Sequence, residues 1–306
     1  TLARHIVVPY QPRGDEQPDA QFSFAHDKLR EAAYATLTSE AASKLHLQIG
    51  NILLDKQPNE IGTNKLFEGF NHFKQGLHLI DDKDEILRIA RLCLEAGKRA
   101  LKTAAYSEAD EFLRAGVGLI SKLSRPWETN YSLCLETVTD AAEAAYLNGR
   151  QDSALEYVKM VEENATVVFH KTKAIETKVH VFLARGLLGR ALEAGLRGVG
   201  ELGISVPAKI ERRHLIYQFI KTKLVVTTTG WRRIELLQET KDERFTKIAR
   251  LFAQMGAATF LNDQLLMAWM IATVTRLSIR KGITPESMVF FACLLYTSPS
   301  PRDEQS

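Results

Sequence analysis

The chain has none of the runs that hold a nucleotide phosphate. There is no Gly-x-x-x-x-Gly-Lys followed by Ser or Thr, and no strand–loop–helix placed to carry one. A glycine-rich kinase loop, His-Arg-Asp and Asp-Phe-Gly runs, a histidine-kinase ATP lid and a Gly-x-Ser-x-Gly elbow are also missing. This stretch is therefore expected not to be an enzyme, and no catalytic residue is assigned. Gly195 to Gly200 (GLRGVG) is glycine-rich but sits on a helical pattern, where close packing is the ordinary reading. Cysteine is scarce: Cys93, Cys134 and Cys293 are isolated, which argues against a zinc site or a disulfide framework and for a reduced, cytoplasmic setting. The histidines are scattered too. The nearest pair, His72 and His78, is too far apart for one helix turn, so no metal site is expected. Charge of one sign is lacking, with 40 Lys and Arg against 37 Asp and Glu, so nothing global advertises a nucleic-acid or membrane partner. No apolar run is long enough to span a bilayer; the best, Leu265 to Val274, is about half the required length. The chain starts at Thr1 with no Met and no signal-like regions, and reads as a piece of something larger.

What is present is helical periodicity that repeats. Ala96 to Ile120 reads as two helices joined by a tight turn at Ala105-Tyr106-Ser107, with small Gly97 and Ala109 permitting close approach and Leu113 and Gly116 continuing the inner stripe. A second unit places Ala142 where Gly97 stood, with Ala154, Val158 and Val161 matching Ala109, Leu113 and Gly116 around an Asn148-Gly149 turn. A third centres on Ala191, Gly195 and Gly198. A fourth has Gly256 on its first helix and Ala268, Ala272 and Thr275 on its second. The steps scatter around the roughly 34-residue period of tetratricopeptide repeats. The expected fold is all-α, a tetratricopeptide-like solenoid of helical hairpins.

The flanks differ. Arg4 to Tyr10 and Gln21 to Phe24 carry the strand signals, consistent with the β-wing at the end of a winged-helix domain or with a stray hairpin on the first repeat. Asp27 is the expected cap of a helix whose inner stripe is Leu29, Ala32, Ala33 and Leu37. Thr38-Ser39 caps the next, with Leu45, Ile49, Ile52 and Leu53 inside. Asp55 to Thr63 reads as a loop, followed by helices near Lys65 to Leu79 and Asp84 to Thr103. An irregular unit holds the basic, aromatic stretch Lys209 to Lys223, read as a solvated helix face with Leu215, Phe219 and Leu224 beneath the charges rather than as a nucleic-acid patch. Leu295 to Ser306 leaves the helical pattern. It resembles spurious translation that recurs at the ends of unrelated sequences, so native sequence is expected to end near Cys293. The domain reading is 1–38 for the end of a winged helix, 39–294 for the repeat region and 295–306 for a disordered tail.

Phe22, Phe24, His26, Asp27, then Ala32-Ala33-Tyr34, then His46, Ile49 and Gly50 resemble one family. These are multidomain signalling kinases in which an AAA/STAND-type ATPase is followed by a winged helix and tetratricopeptide-like repeats, often with a Ser/Thr kinase before and GAF, PAS and histidine-kinase domains after. AAYLNG at Ala144 to Gly149 and the run Gly195 to Pro207 are similar to that family's repeats. The resemblance implies a non-catalytic regulatory and protein-interaction region whose partners are proteins or neighbouring domains of its own chain. It also implies that the full-length protein binds ATP or ADP with Mg and acts as a Ser/Thr or histidine kinase, whereas this stretch holds no cofactor. In related STAND ATPases the His of a Met-His-Asp-type signature contacts the β-phosphate of ADP, and Ala25-His26-Asp27 stands in that place, making His26 a nucleotide-sensor candidate. The alternatives are a stand-alone tetratricopeptide-type adaptor and the helical part of a winged-helix transcription regulator.

Overall fold

The computed structural model describes residues 7–9, 22–24, 26–55, 62–229 and 236–297. Two three-residue strands, β1 (Val7–Pro9) and β2 (Phe22–Phe24), pair antiparallel with Val8 opposite Ser23. Everything else described is helix and connection, so the fold is all-α. The helices are α1 (Asp27–Ala35), α2 (Ser39–Leu53), α3 (Thr63–Gly76), α4 (Lys83–Lys102), α5 (Tyr106–Ile120), α6 (Pro126–Thr129) and α7 (Tyr131–Leu147). They continue as α8 (Gln151–Asn164), α9 (Val168–Ala184), α10 (Leu188–Glu201), α11 (Arg212–Thr229), α12 (Glu243–Asn262), α13 (Gln264–Lys281) and α14 (Pro285–Thr297).

Local chemistry sets most boundaries. The Thr38 hydroxyl accepts from the Ala41 N–H at 3.2 Å, and the Asp82, Asp242 and Asp263 carboxylates accept from N–H groups three residues on at 2.9–3.0 Å, starting α2, α4, α12 and α13. Four helix ends share one device. Arg150, Leu187 and Ile204 donate their N–H to carbonyls five residues back, past Gly149, Gly186 and Gly203 at φ +80°, +70° and +89°. The end of α4 closes the same way, Ala105 N–H to Ala100 C=O at 2.9 Å, but the left-handed residue there is Ala104 at φ 58°. The turn therefore lies at Thr103–Ala105, two residues earlier than expected. Tyr106 opens α5, because the Ala105 carbonyl already accepts from Ala109.

Packing follows the small residues. Gly97 and Gly116 are buried with Ala109 and Leu113, and a Cβ on Gly97 would collide with the Leu113 side chain. Ala142, Ala154, Val158 and Val161 are fully buried between α7 and α8, and Ala191, Gly195 and Gly198 lie inside α10. A Cβ at Gly195 would strike Met255, and one at Gly198 would stand 2.9 Å from Ile175. Successive helices thus approach as close as backbone allows.

Several expectations fail. Asp27 is the first residue of α1 rather than its cap. His26 caps by backbone alone, and Asp27 instead pairs with Arg30 at 3.2 Å. No residue of α1 is buried, so its stripe of Ala32, Ala33 and Leu37 is uncovered. On α2 the buried residues are Ser43, His46 and Gly50, while Ile52 is 77% exposed. The closest approach to α3 selects small side chains: a Cβ on Gly50 would lie 2.8 Å from the Phe73 ring, and one on Gly76 would lie 2.8 Å from the Ser43 carbonyl. Gly256 has open space where a side chain would be, and Ala268 is only half-buried; Thr259, whose hydroxyl lies 3.3 Å from the Met267 sulfur, makes the contact to α13 expected of Gly256. Leu295–Thr297 continue α14, since no breaker precedes Pro299; residues 298–306 lie outside the described residues, as do 56–61 of the loop.

Candidate functional site

Helices α4, α7, α9, α12 and α14 each touch the next, forming one layer. Each of α4, α7 and α9 is the first helix of a hairpin whose second helix packs against it. The layer carries charges of alternating sign. Lys98 on α4 pairs with Glu136 on α7, which also accepts from the Ser132 hydroxyl at 3.0 Å. Lys173 on α9 bridges Asp140 and Glu143 of α7 at 2.6 and 2.7 Å. Glu176, one turn further on α9, faces Lys247, Arg250 and Gln254 of α12, and Arg250 reaches Glu286 of α14 at 3.3 Å. The i, i+3 spacing of Lys173 and Glu176 puts both on one helix face.

Two cavities open along this layer. The larger, about 450 Å³, is lined by Arg91 and Leu94 of α4, the connection through Asn130, and Tyr131 and Glu136 at the start of α7. The second, about 330 Å³, lies between α7 and α9 and is lined by Glu143, Tyr146, Leu147, Lys173, Glu176 and His180, with Thr177. Tyr146 and His180 stack across it at 5.7 Å. Burial lowers the His180 pKa against an upward pull from Glu143, so its imidazole favours the neutral form. Burial raises Glu176 despite Arg250 and Lys247. Burial works against the Lys173 ammonium, but Asp140 and Glu143 outweigh it and the net shift is upward. The wall therefore offers a fixed cation, a carboxyl that resists ionisation, a neutral imidazole and an aromatic face within two helices. Such a set can donate and accept hydrogen bonds and offer an aromatic contact.

His26, the residue singled out from sequence, lies elsewhere. It is exposed at the start of α1 and its side chain makes no capping bond. Ala25 lies outside the described residues. The structure does bring together a pair that spacing concealed: the Nδ1 atoms of His46 on α2 and His72 on α3 are 2.8 Å apart, with Tyr34 of α1 tilted over His46 at 6.1 Å. Burial, then His72, lowers the His46 pKa. No signal in the sequence pairs two histidines 26 residues apart; only Gly50 and Gly76, which let the helices close, hint at it. Among the described residues no group of three or more His, Cys, Asp or Glu is placed to hold a metal ion. Cys93 and Cys134 are free and buried, and burial pushes the Cys134 thiol up to about 11. No helix among the described residues is long and apolar enough to cross a membrane.

No protein-family model matches the chain, and no solved structure matches it. Among curated proteins it is similar to the hybrid signal transduction histidine kinase G of Dictyostelium discoideum, 25% identical over 151 residues. That match covers 42% of this chain and 4% of the relative, so the chain corresponds to a small part of that protein's length.

Proposed function

We propose that this chain is a non-catalytic protein-interaction region of a multidomain signalling ATPase–protein kinase, working in the cytoplasm. In this reading residues 39–294 form a tetratricopeptide-like solenoid whose α4–α7–α9–α12–α14 layer receives a protein partner or a neighbouring domain of the same chain. Residues 1–38 close a winged-helix domain, and 295–306 lie outside the native sequence. The observation that carries it is the alternating charge of that layer, with two cavities set into it. The similarity to a signalling histidine kinase supports the setting. ATP or ADP with Mg would bind elsewhere in the full-length protein, which would supply the Ser/Thr or histidine kinase activity.

The test uses the full-length protein with Tyr146→Ala and His180→Ala, which remove the stacked pair without touching the ion pairs. Signal-dependent autophosphorylation is expected to fall at least about fivefold, the low end of a coupling free energy, with helicity unchanged. Unaltered output from both variants would dismiss this face as the docking surface. His26 is tested separately. As an ADP contact it would contribute a charge-assisted bond of roughly 1.5–3 kcal/mol, so His26→Ala speeds ADP release about tenfold or more, and equal release rates remove the sensor role.

A further inference from the structure

Helix α11 packs the wrong way round for a soluble helix. Its buried residues are Gln218, Thr222 and Val225, and Thr222 donates its hydroxyl to the Ala272 carbonyl of α13 at 3.1 Å. Of the stripe expected beneath the charges, Leu215 packs against the core while Phe219 and Leu224 are exposed, and an apolar stripe of Ile216, Ile220 and Leu224, spaced i, i+4, i+8, faces outward at 60–62% exposure. Phe219 and Tyr217 stand at its two edges, also exposed. The stripe is a ridge about 12 Å long at the helical rise, on the outward face of the helix.

The charge around the ridge has one sign. Residues 212–229 contain Arg212, Arg213, Lys221 and Lys223 and no carboxylate. Arg213 is paired with Glu211, just before the helix, at 2.9 Å. Lys221 lies over the Tyr217 ring at 4.0 Å, its stem along the helix and its ammonium at the aromatic edge. Arg276 and Arg280 on α13 behind add positive charge, and burial followed by Arg280 holds the Arg276 pKa below its usual value. An outward-facing apolar ridge, flanked by aromatics and cations with no anion interleaved, complements a flat, negatively charged, oily surface. We infer that α11 is an interfacial helix that seats this chain on an anionic lipid bilayer, Ile216, Ile220 and Leu224 entering the headgroup–acyl boundary and Arg212, Lys221 and Lys223 reaching lipid phosphates. A protein groove would need the opposite shape on its partner and is the less economical occupant. This inference is independent of the charged layer, so either can fail alone.

The experiment is co-sedimentation of the whole chain with phosphatidylcholine vesicles, with and without roughly one third phosphatidylserine. Binding to the anionic vesicles is expected, and binding to pure phosphatidylcholine about 100-fold weaker, about fivefold for each of Arg212, Lys221 and Lys223. Each cation near the surface contributes about fivefold in partitioning, so Arg212→Gln with Lys223→Gln lowers the anionic preference about 25-fold. Ile220→Asp lowers binding about tenfold or more by removing buried apolar area; because Ile220 is exposed, its circular dichroism should match wild type. No difference between the two vesicle types, or full binding by Ile220→Asp, overturns the inference. So does capture of an acidic amphipathic peptide or a single-stranded oligonucleotide by α11 with no vesicle binding.

Discussion

Asp110 and Arg150 tie one helical hairpin to the next, and cutting that tie measures how strongly the two are coupled. Asp110 lies on α5 with its side chain 4% exposed; Arg150 follows the α7–α8 turn and is 35% exposed. The guanidinium donates twice from Nη1, at 3.1 and 2.8 Å, and Asn148 adds a third donor at 3.1 Å. Arg150 also reaches the Ser153 hydroxyl at 2.9 Å. Removing one partner from a fully buried pair costs about 3–5 kcal/mol, chiefly because the other charge is stranded. Here the two strandings are unequal. Arg150→Ala leaves a carboxylate that water does not reach, with Asn148 as its remaining partner, so the loss stays near about 3–4 kcal/mol. Asp110→Ala leaves a guanidinium that is one-third exposed and rehydrates, so the loss drops to about 2–3 kcal/mol. The double variant should cost less than the two together, with a coupling of about 1–3 kcal/mol. Urea denaturation followed by far-ultraviolet circular dichroism reads all three, with the slope checked for constancy because repeat arrays can lose two-state behaviour. Asp110→Ala costing as much as Arg150→Ala, or costs that add within about 0.5 kcal/mol, would refute the reasoning.

Ala104→Gly should stabilise the chain by about 1 kcal/mol, since alanine at φ 58° carries a left-handed penalty that glycine lacks; an unchanged urea midpoint would show that the turn relaxes some other way. His46 and His180 are both held below the ordinary histidine value, so the unfolded chain binds more protons and stability is lost as pH falls through about 6.5 toward their lowered values. The urea midpoint should decline from pH 7.5 to 5 and decline less steeply in His46→Gln; identical slopes would mean that His46 stays neutral in both states or charged in both.

The hairpins were legible because their packing is written in residue size at fixed spacing. Gly97 facing Leu113, Ala154 beside Val158 and Val161, and Gly195 against Met255 all follow from one requirement, that two backbones approach closely, and only small residues satisfy it. The same rule read as hydrophobicity alone misled at α2. Leu45, Ile49 and Ile52 make the better apolar stripe, yet Ser43, His46 and Gly50 face α3, because the tight crossing there excludes branched side chains. The misplaced face at α11 has a related origin. Gln218 and Thr222 are buried beside the core-packed Leu215, and the Thr222 hydroxyl finds the Ala272 carbonyl of α13, while Phe219 and Leu224 are left exposed. With Thr222 bonded to α13, the side carrying Ile216, Ile220 and Leu224 stays exposed, and no periodicity says which side wins. The charged layer was invisible for a different reason. Glu143, Lys173, Glu176 and Arg250 belong to three helices, and each looks like an ordinary solvated charge on its own helix. Their alternation exists only once α7, α9 and α12 lie side by side, so the candidate site is a property of how the helices pack rather than of any one helix.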